Sequence, residues 1–254
     1  MMKEVKLYGV GVGPGDPALL TFKAVQVIKS VDVLAYPIKA EGAISFALEV
    51  CKEHLGSGGG GGQSQEKLPL LFPMEKKSST LILSWKKAVD EVVTRLAEGK
   101  SVAFITEGDP SIYSTWAYLY EGVMESLKET EVEFVPGITT AVAVAAATKE
   151  ILLDGEERLA ILPATYGIEI LPKLILDFDT IILMKAGKEI KQIAAFLREH
   201  SLIDKATLVS NATTAREVIV RDIGIFLDDD STEAPYFSTL ILSIHQRKGA
   251  LKRC

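Results

Sequence analysis

The run Ser101-Val102-Ala103-Phe104-Ile105-Thr106 shows no polar alternation, which fits a strand buried on both faces at the centre of a parallel sheet. A turn and a helix follow. Glu107-Gly108-Asp109-Pro110 lead through Ser111-Ile112-Tyr113-Ser114-Thr115-Trp116 into a helical stretch from Ala117 to Lys128. Gly108 lets the backbone turn or a ligand approach the main chain, Asp109 suits the cap of the next helix, and Pro110 suits its first turn. Turns at the carboxyl ends of buried strands are where open α/β sheets bind ligands, so this segment sets the expected fold class, α/β.

The same punctuation occurs near the start, where a strand from Val5 to Gly11 runs into Val12-Gly13-Pro14-Gly15-Asp16-Pro17 and a helix with apolar residues from Ala18 to Ile28. The glycines suggest a dinucleotide fold but do not fit its fingerprint. Counting from Gly9 puts Pro14 at the last glycine, and counting from Gly11 puts Asp16 there. The second strand, Val31 to Tyr36, also ends in Tyr36-Pro37 where a ribose-binding acid would stand. A nicotinamide or flavin cofactor is not expected. The two Gly-Asp-Pro turns either face one another across a crevice or are independent helix starts.

A helix near Ala43 to Leu55 precedes the glycine-rich stretch Gly56 to Gly62, which has nothing to bury and is expected to be a dispensable surface excursion. Leu68 to Met74 resumes apolar, a long helix follows at about Ser78 to Glu98, and Glu131 to Val135 is a short strand ended by Pro136-Gly137. Thr139 and Thr140, opening a small-residue helix, read equally as N-caps or ligand contacts. The domain boundary is placed here, giving units 1–137 and 138–254. In the second, strands are expected at Leu159 to Pro163, Thr180 to Lys185, Lys205 to Asn211 and Phe237 to His245, the last as an edge or closing strand, with helices at Ile168 to Ile175 and Glu189 to His200. Strands cluster towards the end without helices between them, so this sheet is expected to be mixed.

A net charge of −6 argues against a nucleic acid as main partner. No apolar run reaches the ~20 residues of a membrane span, and the start lacks a signal peptide's apolar core, so a soluble cytoplasmic protein is expected. Two cysteines and three scattered histidines suit neither a disulfide scaffold nor a zinc site, and no bound metal is expected.

Taken together, Gly-x-Gly-Pro-Gly-Asp-Pro at 11–17, Gly-Asp-Pro-Ser-Ile-Tyr at 108–113, Pro-Gly-Ile-Thr at 136–139, the strand ending in Met184 and the Asn211-Ala212-Thr213 turn resemble the tetrapyrrole methylases. The resemblance covers nearly the whole chain. Tyr113-Ser114-Thr115-Trp116, with Tyr8-Gly9-Val10-Gly11, is most similar to members that methylate C20 of precorrin-2 or its cobalt form. It implies two α/β domains enclosing a cleft, a cofactor site unlike a Rossmann edge, S-adenosyl-L-methionine as cofactor, a tetrapyrrole substrate and a homodimer. Carried over by position, cofactor-binding residues fall on Pro14, Glu107, Gly108, Asp109, Ile112, Thr139, Thr140, Met184 and Ala212. Glu107 departs from the Gly or Ser of many relatives, so only its backbone contact is expected. Asp109 is open to three roles: capping a helix, holding the cofactor or orienting substrate. A proton acceptor is to be sought among Asp109, Tyr113 and a substrate carboxylate. Substrate acid groups need cations, for which Lys185, Lys188, Arg216 and Arg221 are candidates, and no side chain is expected to ligate cobalt. Methylation at another ring carbon, an rRNA ribose methyltransferase of the same fold and a non-enzymatic binding module are the competing expectations.

Overall fold

Side-chain alternation along the first strands decides which helix covers which face. The computed structural model describes residues 5–55, 65–73, 78–228 and 231–244. The chain divides into two compact units, Met1–Thr139 and Thr140–Cys254. In the first, β1 (Lys6–Gly11), α1 (Phe22–Ser30), β2 (Val33–Ile38), α2 (Phe46–Cys51), β3 (Glu66–Leu71), α3 (Ser78–Ala97), β4 (Val102–Thr106), α4 (Trp116–Ser126) and β5 (Glu131–Val135) follow in order. The strands form one parallel sheet, β3-β2-β4-β1-β5. Leu7, Val33, Ala35, Val102 and Phe104 face α3 and α4. Their alternates Val10, Leu34, Ala103 and Ile105 face α1 and α2. β4 is therefore buried along its whole length, as its uninterrupted apolar run requires. Adjacent strands β1 and β4 send their following helices to opposite faces, which opens a crevice at their carboxyl ends.

Three local expectations are corrected. Asp109 does not cap the next helix: α4 begins only at Trp116, after Thr115, and it is the Ser114 hydroxyl that accepts from the Trp116 amide at 3.1 Å. Asp16 caps only a short 3₁₀ turn, Pro17–Leu19, and α1 has its own cap in Thr21, whose Oγ1 accepts from the Ala24 amide at 3.1 Å. The helix expected over 43–55 shortens to α2 plus a 3₁₀ turn. The glycine-rich stretch 56–62 lies outside the described residues.

The second unit contains α5 (Thr140–Thr148), β6 (Leu159–Pro163), α6 (Leu171–Asp177), β7 (Thr180–Met184), α7 (Ile190–Glu199), β8 (Ala206–Ser210), β9 (Val218–Val220), α8 (Ile225–Asp228) and β10 (Ser238–Ser243). Its sheet is mixed, in the order β6-β7-β10-β8-β9, with β6 and β7 parallel and β10 antiparallel to both of its neighbours. The last strand is thus central, not an edge. Leu240 and Leu242 pack with α6 and α7 on one face, Ile241 with α5 on the other, and a segment apolar on both sides needs neighbours on both sides. β9 and α8 were not expected, being too short for either periodicity to register. Among the described residues no helix is long and apolar enough to cross a membrane.

Candidate active site

In the first unit the carboxyl ends of β1, β4 and β5 meet through glycine. Gly13 donates its amide to the Gly108 carbonyl at 3.2 Å and accepts from the Gly108 amide at 2.8 Å, so the two Gly-Asp-Pro turns are joined directly by a backbone bridge. Gly108, at φ 66°, lies where glycine is favoured. With its amide already committed to Gly13, what it offers a ligand is close approach, not that N–H. A Cβ on Gly11 would stand 2.5 Å from the Gly108 oxygen and 2.7 Å from the Gly137 nitrogen. One on Gly137 would fall inside contact distance of the Gly108 oxygen and 2.8 Å from the Gly11 Cα. Three strand ends therefore pack with no room for side chains.

Asp109 fastens this junction. Its Oδ1 accepts from the Ser111 amide at 2.8 Å and from the Ser111 hydroxyl, while Oδ2 accepts from the Gly137 amide at 3.0 Å, tying the β4 loop to the β5 loop. The hydroxyls of Thr106 and Ser114 bond at 2.7 Å and close the base of the same loop. Between these clasps Tyr113 adopts φ 50° and is 49% exposed as a residue. Strain of this kind at a bulky residue persists only where the surroundings enforce it, and it concentrates at functional sites. Pro14, Glu107, Gly108, Asp109 and Ile112 thus share the carboxyl edge of the first sheet, and Thr139 follows the Gly137 loop. Sequence reading missed Gly11 and Gly137 as contacts and the Thr106–Ser114 pair; a glycine at or two residues beyond each strand end is visible in the sequence, but that the three ends touch depends on the sheet order.

In the second unit Met184 ends β7 and Ala212 follows β8, on either side of the start of β10. The Ala186 amide donates to Ser238 O and the Asn211 amide to Phe237 O, both at 2.8 Å, and Ser210 and Ser238 bond through buried hydroxyls at 2.7 Å. Ala212 packs with Val144 and Ala145 of α5. The far end of α5 is held at the opposite edge, where Arg221 donates to Thr148 O at 3.4 Å and Ser243 to Glu150 at 2.9 Å. Thr140, at its other end, is therefore directed to the Met184 edge. Non-glycine residues with positive φ gather there too: Lys185 at 57°, Asn211 at 49° and Thr213 at 65°.

The four candidate cations separate. Lys185, Lys188 and Arg216 lie on the Met184–Ala212 edge, whereas Arg221 lies past β9 at the opposite one. There it lines a cavity of about 500 Å³ with Lys149, Glu150, Asp179, Lys205 and Ser243, a mixed-charge set remote from Met184. Among the described residues no group of three or more His, Cys, Asp or Glu is placed to hold a metal ion. Among the described residues the one large titration shift is away from both strand-end sites: burial pushes the Cys51 thiol up to about 11.

A sheet edge closed by three glycines in one unit, and in the other an edge at Met184 and Ala212 flanked by left-handed turns, mark an α/β protein that lacks the G-x-G-x-x-G phosphate loop of a Rossmann fold. Within that class the chain belongs to the tetrapyrrole (corrin/porphyrin) methylases, whose family model matches residues 6–223. It is 39% identical over 215 residues to a probable cobalt-precorrin-2 C(20)-methyltransferase of Methanocaldococcus jannaschii, covering 85% of this chain and 86% of that one. It is 31% identical to the cobalt-precorrin-2 C(20)-methyltransferase of Salmonella typhimurium, covering 94% and 96%, and 29% identical to a precorrin-2 C(20)-methyltransferase of a Sinorhizobium species, covering 93% and 94%. Among solved structures, a cobalt precorrin-4 methyltransferase superposes with a TM-score of 0.68 at 21% identity, covering 95% of this chain and 96% of that one. The uroporphyrin-III C-methyltransferase of Thermus thermophilus in complex with S-adenosylhomocysteine gives 0.64 at 19%, covering 94% and 98%.

Proposed function

We propose that this protein is an S-adenosylmethionine-dependent C-methyltransferase acting on C20 of precorrin-2 or cobalt-factor II in cobalamin biosynthesis. The observation that carries the reading is similarity, along most of the chain, to relatives named for that reaction. The residue chemistry fits. A sulfonium cation with an adenine and an amino-acid tail needs apolar walls, main-chain approach and few charges. Met184, Ile112 and Ala212 are such walls, Gly108 gives close approach, and Pro14, Glu107, Asp109, Thr139 and Thr140 complete the set that would hold it. When bound, S-adenosylmethionine supplies a methyl group on a leaving sulfur. The chain's own contribution is alignment and exclusion of water, and orientation alone is worth up to about 7–11 kcal/mol.

Asp109 is best read as a positioning residue, since both of its oxygens hold loops. Tyr113, exposed and on a strained backbone, is the better candidate to meet substrate and to accept or relay the proton lost from the methylated carbon. Because the metal-free macrocycle and its cobalt complex present almost the same edge to a cleft, the reading includes acceptance of both substrates, with cobalt-factor II slightly favoured. It also includes a homodimer, the commonest closed assembly, and a cytoplasmic location.

The test is paired anaerobic turnover of precorrin-2 and cobalt-factor II with labelled S-adenosylmethionine, alongside calorimetry with S-adenosylhomocysteine and sedimentation. Methyl incorporation at C20 of both substrates is the expected result. Tight S-adenosylhomocysteine binding without transfer to either would leave a binding module, and transfer to a different ring carbon would move the enzyme elsewhere in the family. An rRNA ribose methyltransferase is disfavoured by the charge of −6.

A further inference from the structure

We propose that Lys185 and Arg216 form a carboxylate-binding rim that grips the acid substituents of the tetrapyrrole, an inference that rests on the function proposed above. The first observation is that Lys185 combines three features that ordinary surface lysines lack. It follows β7 directly after Met184, it takes a left-handed backbone at φ 57°, and it is half-buried without an ion pair among the described residues. Elsewhere in the chain partly buried cations are matched: Lys6 with Glu131 at 2.5 Å and Arg95 with Glu66 at 3.0 Å. A half-buried ammonium with no partner, on a conformation that glycine would adopt without strain, is a costly arrangement. It becomes understandable if an anion completes it.

The second observation concerns Arg216. Its turn is braced from within, because the Thr214 hydroxyl accepts from the Arg216 amide at 3.1 Å and the Asn211 side-chain amide donates to Arg216 O at 3.4 Å. Its guanidinium is exposed and makes no ion pair among the described residues. The nearby acid Glu217 makes no ion pair with it among the described residues; its carboxylate accepts from the Thr213 amide at 2.6 Å and closes the same turn. Two further acids lie on this edge among the described residues, Glu189 on the 3₁₀ turn after Lys185 and Glu233 on the segment leading into β10, and neither forms an ion pair with Lys185 or Arg216. Lys185 follows β7 and Arg216 precedes β9, with β10 and β8 between them. At one strand spacing per step, the positions are roughly 14 Å apart. Two separated cations on one edge suit a macrocycle that carries several acid side chains around its rim better than they suit a compact anion.

The experiment compares Lys185→Gln, Lys185→Arg, Lys185→Gly and Arg216→Gln, with Arg221→Gln as the control from the opposite edge. Charge-assisted hydrogen bonds to a ligand are worth roughly 10- to 100-fold. The tetrapyrrole KM should therefore rise at least about 10-fold in the Gln variants, with kcat changed much less. The dependence of KM on salt should flatten, and Arg at 185 should restore most of the loss. Calorimetric affinity for S-adenosylhomocysteine should stay near that of the unmodified protein, as should every parameter of Arg221→Gln. Lys185→Gly is diagnostic: relief of the left-handed strain should raise the melting temperature while KM worsens, an opposition that a purely structural lysine would not produce. Unchanged KM and salt dependence in the Gln variants, in an enzyme that turns over, would overturn the rim and leave the function standing. Absence of turnover by the unmodified protein would overturn both.

Discussion

Replacing Gly137 by Ala should do far more than its single methyl suggests. Gly137 is not among the residues with positive φ, so Ala suits its backbone and would ordinarily stabilise by about 0.4–1 kcal/mol through the unfolded chain. Here the new Cβ collides with the Gly108 carbonyl and stands 2.8 Å from Gly11 Cα. Both are backbone atoms. Neither can rotate away, because Gly108 O also accepts from Gly13 and Gly11 ends a strand paired on both sides. The β1, β4 and β5 loops must separate by roughly 1 Å to regain normal contact, an overpacking that costs ~1–3 kcal/mol. The displacement would also stretch the Asp109–Gly137 bond of 3.0 Å. A shift of that size at a ligand site can cost up to about 100-fold. Urea unfolding and S-adenosylhomocysteine calorimetry should show destabilisation of ~2 kcal/mol and at least tenfold weaker binding. Gly122→Ala is the matched control. Its Cβ also meets a close neighbour, Val89 Cγ2 at 2.5 Å, so it too is overpacked and should lose stability. The contact lies between α3 and α4 and not at the strand ends, so S-adenosylhomocysteine affinity should be kept. If Gly137→Ala kept full stability and full affinity, the three-glycine junction would not be what shapes this edge.

Further outcomes follow from the same structure. Asp109→Asn leaves one oxygen for two sets of donors, so stability should fall by about 1.5–3 kcal/mol as one loop clasp opens, read by thermal unfolding. Cys51, raised from 9.0 to about 11 by burial, stays protonated in the fold while the unfolded chain loses its proton. Its contribution is therefore complete below pH 9 and is lost as pH rises towards 11. Unfolding at a series of alkaline pH values should show that decline, and Cys51→Ala should flatten it. Deleting Gly58 to Gly62 should leave the melting temperature and methyl transfer nearly unchanged, because loop-closure entropy varies slowly with length. A large loss of activity would instead assign the segment a part in catalysis.

β4 was readable in advance because an unbroken apolar run has few ways to be buried. The central place of β10 was not, because position in a sheet depends on pairing with β7 and β8, and those partners come from other parts of the chain. The Gly-Asp-Pro pair was legible as strand-end turns and misleading as to Asp109. Asp before Pro is a good helix start by local chemistry. Here, however, the left-handed Tyr113 interrupts the chain before α4 begins, and the carboxylate turns to Gly137 instead. The steric role of Gly11 and Gly137 was invisible for the same reason: contact between three strand ends is a property of the sheet order. Lys185 could be nominated but not separated from Arg221, since only the register of β8 and β9 sends the latter to the other edge.

The two units solve the same problem at their strand ends by opposite means, and the difference says where ligand atoms should be sought. In the first unit Gly11, Gly108 and Gly137 stand where a side chain would collide or strain, so the constraint is internal and would exist without any ligand. In the second, Lys185, Asn211 and Thr213 occupy left-handed conformations that glycine would fill more comfortably. A strained non-glycine residue is retained when its side chain does something glycine cannot. For Asn211 and Thr213 part of that is visible within the chain, in the Asn211 bond to Arg216 O and the Thr213 amide's bond to Glu217. For Lys185 no ion-pair partner exists among the described residues. It is at Lys185, more than at the glycine junction, that the fold asks for a partner from outside the chain.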